Sequence, residues 1–389
     1  MLKPRKKVAL LVETSLGSGR GILRGIAKFA RQSGDWQLFH KAGGLSDTLP
    51  DWIHDWEGDA IIARIQGPQM RDELEALNIP VVDVLGVCEN RFPLVHVDNS
   101  AIAKIVAAHF RERNFAQFAY YGIAGENWSE QRGDAFAAAC RDEGNFHLLN
   151  TPRDSGKQRS TPFRQLQEWV AKLPKPVAIM VCSDQRGLEL LEACLSEGIA
   201  VPEQVAVVGV DNDTALCEIS DPPLSSVRGG HLRAGFEAAS LVDQILTKSK
   251  TLPSPLLVPP NGIVERESSQ IRAIDDEVVA RGVRFIRDNL AEPITNSLIA
   301  QSVGISRTLF QKRFRESIGQ SIREYILEHR IARALHLITG SDFPLAQIAD
   351  RCGFRHQEYL GQVIKKATGS SPGQIRKESK DAGTPSRSN

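Results

Sequence analysis

The sequence predicts two α/β lobes with doubly wound parallel sheets, followed by an all-α part that contains two helix-turn-helix motifs. Three observations predict this fold class. Short apolar runs alternate with helix-length segments over residues 8–258, and the alternation restarts near residue 118. An eight-residue pattern then occurs twice near the C-terminal end. The chain of 389 residues is long enough for two or three such domains.

The first lobe is predicted from continuous apolar runs, which are typical of buried parallel strands. Residues 8–12 form such a run and lead to Glu13, while residues 60–63 form another and lead to Arg64. A helix is expected after the first run, over residues 21–33. Further strands are expected at residues 36–39, 81–84 and 94–97.

The second lobe repeats the alternation, again with polar residues where strands end. The run at residues 177–181 leads to Asp184, and the run at residues 205–210 leads to Asp211 and Asn212. Doubly wound sheets bind ligands at the carboxyl ends of their strands, so two lobes in tandem predict a cleft between these ends. The other elements expected here are a strand at 118–122, helices at 131–143, 185–197 and 228–247, and a strand at 256–258 that begins the exit from the lobes.

The repeated pattern has the chemistry of a helix-turn-helix. Residues 298–305 match residues 347–354, and the same 49 positions separate both the matching alanines and the matching glycines. A small residue lets two helices cross closely, and glycine takes a turn conformation that is costly for other residues. One copy fits an ordinary helical hairpin equally well, but two copies in register favour paired DNA-reading motifs.

The helix that follows each glycine is expected to lie in the major groove of DNA. Ser306 is a suitable N-cap for the first of these helices. Two apolar pairs, Phe310 with Phe314 and Leu360 with Ile364, have the spacing of inward-facing residues. The residues left to face DNA are Arg307, Thr308, Gln311, Lys312 and Arg315 in the first helix, and His356, Gln357, Glu358 and Gln362 in the second.

The charge distribution favours phosphate contact by the C-terminal part alone. Residues 271–389 contain 19 Lys and Arg against 13 Asp and Glu, a net charge of +6. The whole chain has a net charge of only +1, which leaves −5 for the remainder. A basic domain on an acidic body fits a protein with double-stranded DNA as a partner.

The C-terminal part resembles the DNA-binding domain of AraC/XylS-type transcription regulators over about residues 275–376. The matching segments are residues 298–300, 304–307, 312–314, 348–354 and 369–372, together with Arg376. The resemblance implies two helix-turn-helices joined by a long helix at about residues 321–338, direct-repeat DNA sites, and RNA polymerase as a further partner. Gly361 departs from the family pattern, in which a small polar residue is usual.

The preceding part resembles the sugar-sensing core of LacI-type repressors over about residues 6–270. The matching segments are residues 96–99, 131–136, 183–184, 198–202, 208–213, 222–227 and 264–268. The resemblance implies a two-lobed, periplasmic-binding-protein-like sensor and a homodimer. The expected division is therefore a sensor at residues 1–270, a DNA-binding domain at 271–376 and a disordered tail at 377–389.

A sugar site needs carboxylates and amides as acceptors, arginine as a donor and often an aromatic face. Asp184 and Asp211 are candidates because they follow strands of the second lobe, although both would equally suit helix capping. Arg132 matches a LacI-type arginine that points into the cleft. The full set of candidates, with solvated loops, surface ion pairs or lobe packing as the alternative roles, is Glu13, Arg20, Arg64, Trp128, Arg132, Asp184, Asp211 and Asn212.

The expected function is that of a cytoplasmic, sugar-switched regulator of transcription that acts as an activator. A sensor that precedes the DNA reader is the layout of a group of xylose-responsive regulators, so D-xylose is the expected effector. Another pentose, a hexose or a purine stays open. The rival functions are a sugar-binding or transport protein without a DNA role and a doubly wound sugar enzyme.

No motif argues for catalysis, a cofactor or a metal. Residues 17–21 are glycine-rich but lack the order of a P-loop. The six cysteines form no C-x-x-C pair and fit reduced thiols in the cores. No apolar run approaches the roughly 20 residues of a membrane span, and the apolar run near the start is too short for a signal peptide.

Overall fold

The computed structural model describes residues 5–40, 49–87, 91–141, 145–152, 160–248, 255–271 and 273–383. The chain divides into two compact units, Met1–Ala273 and Ile274–Asn389. The division falls three residues beyond the expected boundary at 270. No helix within the described ranges has both the length and the apolar character of a membrane span.

The first lobe is built on a parallel sheet of four strands in the order β2-β1-β3-β4. Helix α1 follows β1 and begins at Gly17, four residues earlier than expected, and α2 follows β3. The predicted strands are confirmed. Their apolar side chains fill hydrophobic cores on both faces of the sheet. The elements are β1 (Lys6–Leu11), α1 (Gly17–Ser33), β2 (Trp36–His40), β3 (Ala60–Ala63), α2 (Pro68–Ala76), β4 (Val81–Asp83) and β5 (Val95–Val97).

The second lobe contains a sheet of six strands in the order β12-β10-β9-β8-β6-β7, with only β12 antiparallel. Its elements are α3 (Asn99–Arg111), β6 (Phe118–Ile123), α4 (Asn127–Cys140), β7 (Phe146–Thr151), α5 (Ser160–Lys172), β8 (Val177–Val181), α6 (Asp184–Ser196), β9 (Val205–Val210), α7 (Thr214–Ile219), β10 (Ser225–Val227) and β12 (Ile263–Val264). The sequence pattern did not predict β7, α5, α7, β10 or β12. Strand β7 lies at the sheet edge with an exposed Leu148, and β10 carries two buried serines, so neither is a continuous apolar run.

The lobes are interleaved rather than arranged in tandem, which corrects the expectation. Helix α8 (His231–Leu246) packs against α1, and β11 (Leu256–Val258) pairs in parallel with β5, so both complete the first lobe. Strand β11, which the sequence predicted as the start of the segment that leaves the two lobes, thus belongs to the first lobe. Helix α8 returns to the first lobe because it crosses α1 closely. A Cβ added to Gly25 or Gly235 would lie 2.0 Å from a carbonyl oxygen of the facing helix, so the crossing requires glycine at both positions. The sequence pattern of either helix alone does not reveal this contact.

The cysteines with described positions are Cys140, Cys182, Cys194, Cys217 and Cys352, and all are buried. This placement confirms the expected core positions for these five residues. Cys88 lies outside the described residues.

The second unit is all-α, as expected. Helices α10 and α11 form the first helix-turn-helix, and α13 and α14 form the second; α12 joins the two motifs. The predicted joining helix at 321–338 is confirmed, and a reciprocal capping box between Ser321 and Glu324 starts it. The elements are α9 (Glu277–Asp288), α10 (Asn296–Ser302), α11 (Arg307–Ile318), α12 (Ile322–Gly340), α13 (Leu345–Arg351), α14 (Gln357–Thr368) and α15 (Pro372–Gly383).

Helix α15 corrects the expected start of the disordered tail at residue 377, because the helix continues to Gly383. Ser371 and Gln374 exchange hydrogen bonds at its start, which satisfies amide groups there. Arg376 donates from Nη2 to the Phe343 carbonyl at 2.7 Å and so fixes the helix against the second motif. Residues 384–389 lie outside the described residues.

Arg330 in the middle of α12 ties the two motifs together. Its Nε donates to the Leu290 carbonyl at 2.9 Å, and its Nη2 donates to the Glu292 carbonyl at 2.8 Å. Gly353, the turn glycine of the second motif, lies against both the Leu290 carbonyl and the Arg330 guanidinium. A Cβ at this position would lie 2.6 Å from Leu290 O and 2.6 Å from Arg330 Nη2. The turn of the first motif, Gly304, has a similar positive φ but open space around it.

This difference predicts unequal effects of the same substitution. Gly304→Ala should cost about 1–2 kcal/mol of unfolding free energy, because only the positive φ is strained. Gly353→Ala should cost on the order of 1–3 kcal/mol more, because its Cβ also meets the Leu290 carbonyl. Chemical denaturation of the full chain, followed by circular dichroism, measures both. Equal losses in the two variants would contradict the close approach at Gly353.

Candidate functional site

A cleft between the two lobes of the first unit brings together polar side chains from distant parts of the sequence. The first lobe contributes residues from the start of α1, the end of β3, strand β5 and the start of α8, and the second lobe contributes residues from α4 and from just after β8 and β9. The lining residues are Leu16, Ser18, Arg64, His96, Trp128, Arg132, Ser183, Asp211 and His231.

Glu13 and Arg64 form a buried ion pair at the first-lobe wall of the cleft. Arg64 Nη1 donates to Glu13 Oε1 and also to Ser18 Oγ at 3.3 Å. Burial raises the pKa of Glu13, and the charge of Arg64 opposes that shift. Glu13 Oε2 and Arg64 Nε are buried, and among the residues that the structure describes neither atom has a hydrogen-bond partner. The pair therefore offers an acceptor and a donor beside the cleft.

Asp211 and His231 connect the lobes within the cleft. His231, the first residue of α8, lies with Nε2 2.7 Å from Asp211 Oδ1. Burial alone would raise the pKa of Asp211, but the charges of His231, Arg132 and Arg64 together hold this pKa below its usual value. Asp211 has a φ of +107°, so its backbone is held in a conformation that is uncommon for a non-glycine residue.

Arg132 projects from α4 with its guanidinium held in place. Nε and Nη2 donate to Asn99 Oδ1 at 3.2 and 3.0 Å, and Nη1 donates to the Cys182 carbonyl. Its guanidinium carbon lies 5.4 Å from the centre of the Trp128 ring. Trp128 is itself oriented by a 2.9 Å hydrogen bond from Nε1 to Glu126. The cleft thus has a fixed cation next to an aromatic face.

His96 is a buried titratable group that lines the cleft. Burial, followed by the charges of His231, Arg64 and Arg132, lowers the pKa of His96 to about 3. The imidazole is therefore neutral near pH 7 and presents one donor and one acceptor. The two arginines of the cleft, Arg64 and Arg132, are balanced by the carboxylates of Glu13 and Asp211, which suits a neutral ligand rich in hydroxyl groups better than an anion.

Four predicted ligand residues do not line the cleft, and each has another partner within the described residues. Asp184 Oδ2 accepts from the Asp213 amide at 2.7 Å and Oδ1 accepts from Ser226 Oγ at 2.5 Å. Asn212 Oδ1 accepts from Arg266 at 3.0 Å. Arg20 pairs with Asp213. Glu13 stands behind Arg64 rather than among the lining residues, whereas Arg64, Trp128, Arg132 and Asp211 lie where the prediction put them.

The sequence analysis missed the other lining residues, namely Leu16, Ser18, His96, Ser183 and His231. Ser183 follows the end of β8, and strand position was the signal that could have found it, whereas His96 lies within β5 and had no such signal. His231 had no such signal, because only the return of α8 to the first lobe brings it to Asp211. Within the described ranges, no group of three or more His, Cys, Asp or Glu is arranged to hold a metal.

The DNA-reading helices of the second unit show the predicted division of faces. Phe310, Phe314, Leu360 and Ile364 are fully buried. Ser306 caps α11, accepting from the Leu309 amide at 3.3 Å. Gln311 is half-buried, and the other predicted DNA-facing residues are exposed: Arg307, Thr308, Lys312, Arg315, His356, Gln357, Glu358 and Gln362. Gly361 has open space around it, so it leaves a gap in the outer face of α14.

The burial of Asp184 predicts a pH dependence of stability. Desolvation, followed by the negative charge of Asp211, raises the pKa of Asp184 to about 8. The folded chain therefore binds this proton more tightly than the unfolded chain, in which the pKa is about 4. The stabilisation from this group is fully present below about pH 4 and is lost as the pH rises through about 8.

Asp184→Asn removes that titration while it keeps the side-chain shape. The wild-type unfolding free energy should therefore fall relative to that of Asp184→Asn as the pH rises from about 5 to about 8, by at most about 1.4 kcal/mol per pH unit. Urea denaturation of both proteins at matched pH values measures this difference. Parallel pH profiles would contradict the raised pKa.

Comparisons with known proteins agree with this architecture. The chain matches a family model described as the XylR N-terminal domain over residues 7–100, a periplasmic binding protein-like domain over residues 107–269, and a helix-turn-helix domain over residues 299–378. The xylose operon regulatory protein of Escherichia coli strain K12 is 28% identical over 97% of this chain and 98% of its own. That of Haemophilus influenzae is also 28% identical, over 95% of this chain and 98% of its own.

A solved structure described as that of the xylose-binding transcription activator XylR matches with a TM-score of 0.83 and 26% identity. The match covers 97% of this chain and 99% of the solved chain. Both units are therefore matched in the same order as in these relatives. The chain is a DNA-binding transcription regulator in which a periplasmic-binding-protein-like sensor precedes an AraC-type helix-turn-helix domain, and it is similar over nearly its full length to the xylose operon regulatory proteins.

Proposed function

We propose that this regulator activates the transcription of a sugar-catabolism operon and that its effector is D-xylose. The observation that carries the proposal is the cleft in which Arg64 and His231 of one lobe face Arg132 and Asp211 of the other, beside Trp128. These groups offer the donors, acceptors and aromatic face that a neutral aldose needs. The relative described as a xylose-binding transcription activator supports the choice of sugar.

The cleft also supports a mechanism for the switch. The lining groups are divided between the lobes, so the hydroxyl groups of a sugar are fully satisfied only when both lobes surround it. The sugar therefore binds the closed arrangement more tightly and shifts the population toward it. Glu13 Oε2 and Arg64 Nε have no hydrogen-bond partner in the described part of the chain, so they are further groups that a hydroxyl can satisfy.

In this proposal the regulator acts in the cytoplasm as a homodimer. Helices α11 and α14 of each protomer enter successive major grooves of direct-repeat DNA, which α12 spaces along the duplex. The bound dimer then recruits RNA polymerase. The AraC-type helix-turn-helix domain and the LacI-type form of the sensor support this arrangement.

The direct test is a calorimetric titration of the full chain with D-xylose, L-arabinose, D-ribose and D-glucose. D-xylose should bind tightest. Asp211→Asn should weaken the binding of D-xylose by roughly 10- to 100-fold, since a charged hydrogen-bond acceptor is lost in a buried site. Glu168→Gln is the matched control, because Glu168 is an exposed carboxylate on α5 and should leave the affinity unchanged.

Tightest binding of another sugar would replace D-xylose as the effector. No binding of any of these sugars would overturn the proposed sensor. Unchanged affinity in Asp211→Asn would remove the cleft as the sugar site.

Two positions on the outer face of α11 make a separate prediction for DNA. Gln311→Ala should relax the preference at one base pair by about 1–3 kcal/mol, because a glutamine that contacts a base edge carries sequence information. Arg315→Ala should instead weaken binding to all sequences and reduce the slope of log affinity against log salt by about 0.9. Competition binding to a set of single-base operator variants at several salt concentrations measures both. Equal effects of the two substitutions on sequence discrimination would show that the roles of Gln311 and Arg315 are assigned wrongly.

A further inference from the structure

Arg20 and Asp213 form an ion pair that passes from one lobe to the other outside the ligand cleft. Arg20 belongs to α1 of the first lobe, and Asp213 belongs to the loop between β9 and α7 of the second. Arg20 Nη2 donates to Asp213 Oδ2, and neither residue lines the cleft. We propose that this pair is a closure latch: it stabilises the arrangement in which the lobes meet and so sets the affinity for the effector without contact with it.

The arginine is already positioned for this role by its own lobe. Arg20 Nη1 donates to the Thr14 carbonyl at 2.8 Å and to the Ser15 carbonyl at 3.0 Å. Surface ion pairs are usually weak because two long side chains must be ordered to form them. Here the backbone of the first lobe fixes the guanidinium, so less side-chain freedom is lost when Asp213 arrives.

The aspartate gives up its local partner to reach Arg20. Asp213 is the N-cap residue of α7, but its side chain makes no capping hydrogen bond. An aspartate at this position normally accepts from an amide of its own helix. Its backbone amide is fixed separately, by the 2.7 Å hydrogen bond to Asp184 Oδ2. The carboxylate therefore has two alternative partners: Arg20 when the lobes meet, and the amides of α7 when they separate.

The backbone of the first lobe approaches the same aspartate. A Cβ added to Gly17 would lie 3.1 Å from Asp213 Cβ and 3.2 Å from its Oδ2. The side chains of Arg20 and Asp213 are 41% and 12% exposed, so solvent screens the pair in part and its effect is moderate. The latch tunes closure, while the cleft residues supply most of the sugar affinity.

The affinity test rests on the proposed sugar response. Asp213→Asn removes the charge and keeps the shape, so it should raise the Kd for D-xylose by roughly two- to fivefold in calorimetry. Asp213→Glu retains a carboxylate and should recover most of the loss. The wild-type Kd should rise with sodium chloride more steeply than that of Asp213→Asn, since salt screens a partly exposed ion pair.

A second arm needs no sugar and separates failure of the latch from failure of the proposed effector. The pair forms between protein groups alone, so Asp213→Asn should speed amide hydrogen exchange in residues 14–20 of the ligand-free chain. The substitution lies in the second lobe and this segment lies in the first, so a purely local change at α7 leaves its exchange unaltered. Asp213→Glu should return it toward the wild-type rate.

If wild-type protein ignores D-xylose but the exchange in residues 14–20 responds, the effector is wrong and the latch stands. If D-xylose binds with equal Kd and equal salt dependence in wild type and Asp213→Asn, the latch is overturned. Unchanged exchange in residues 14–20 of Asp213→Asn overturns it as well.

Discussion

Buried polar groups must find hydrogen-bond partners, and this constraint governs the cleft of the sensor. Arg132 is satisfied by Asn99 and the Cys182 carbonyl, and Asp211 is satisfied by His231 from the other lobe. Such contacts fix the side chains before a ligand arrives, which lowers the entropic cost of binding. The same constraint explains why the groups that remain beside the cleft, on Glu13 and Arg64, favour a ligand with hydroxyl groups.

The second unit follows a different constraint, the fixed separation of two DNA-reading helices. Helix α12 lies between the motifs and carries Arg330. The Arg330 guanidinium donates hydrogen bonds to carbonyls of the segment between α9 and α10, and it also contacts the turn at Gly353. Arg313 adds a bidentate pair with Asp276, which holds α11 against the start of α9. Bonds of this kind make the spacing of α11 and α14 a property of the folded unit, as recognition of two successive grooves requires.

Much of the fold was predictable because its signals are local. Apolar runs predicted the central strands, and the two glycines 49 residues apart predicted both helix-turn-helix motifs. Strand ends located the correct edge of each lobe, but they did not reveal which polar side chains a neighbour would satisfy. Asp184 and Asn212 lie at strand ends, where ligand contact is expected. Their side chains instead accept hydrogen bonds from Ser226 and Arg266, respectively. His231 could not be found in this way, since its place depends on the glycine-mediated crossing of α1 and α8.

The central claim is that sugar in the cleft and DNA on the second unit are coupled, and linkage makes this coupling reciprocal. The most direct measurement determines the Kd for operator DNA with and without saturating D-xylose, and the Kd for D-xylose with and without saturating operator. The account predicts that both affinities change by the same factor, greater than one. Binding of D-xylose with no change in operator affinity, and none in the reverse titration, would contradict it.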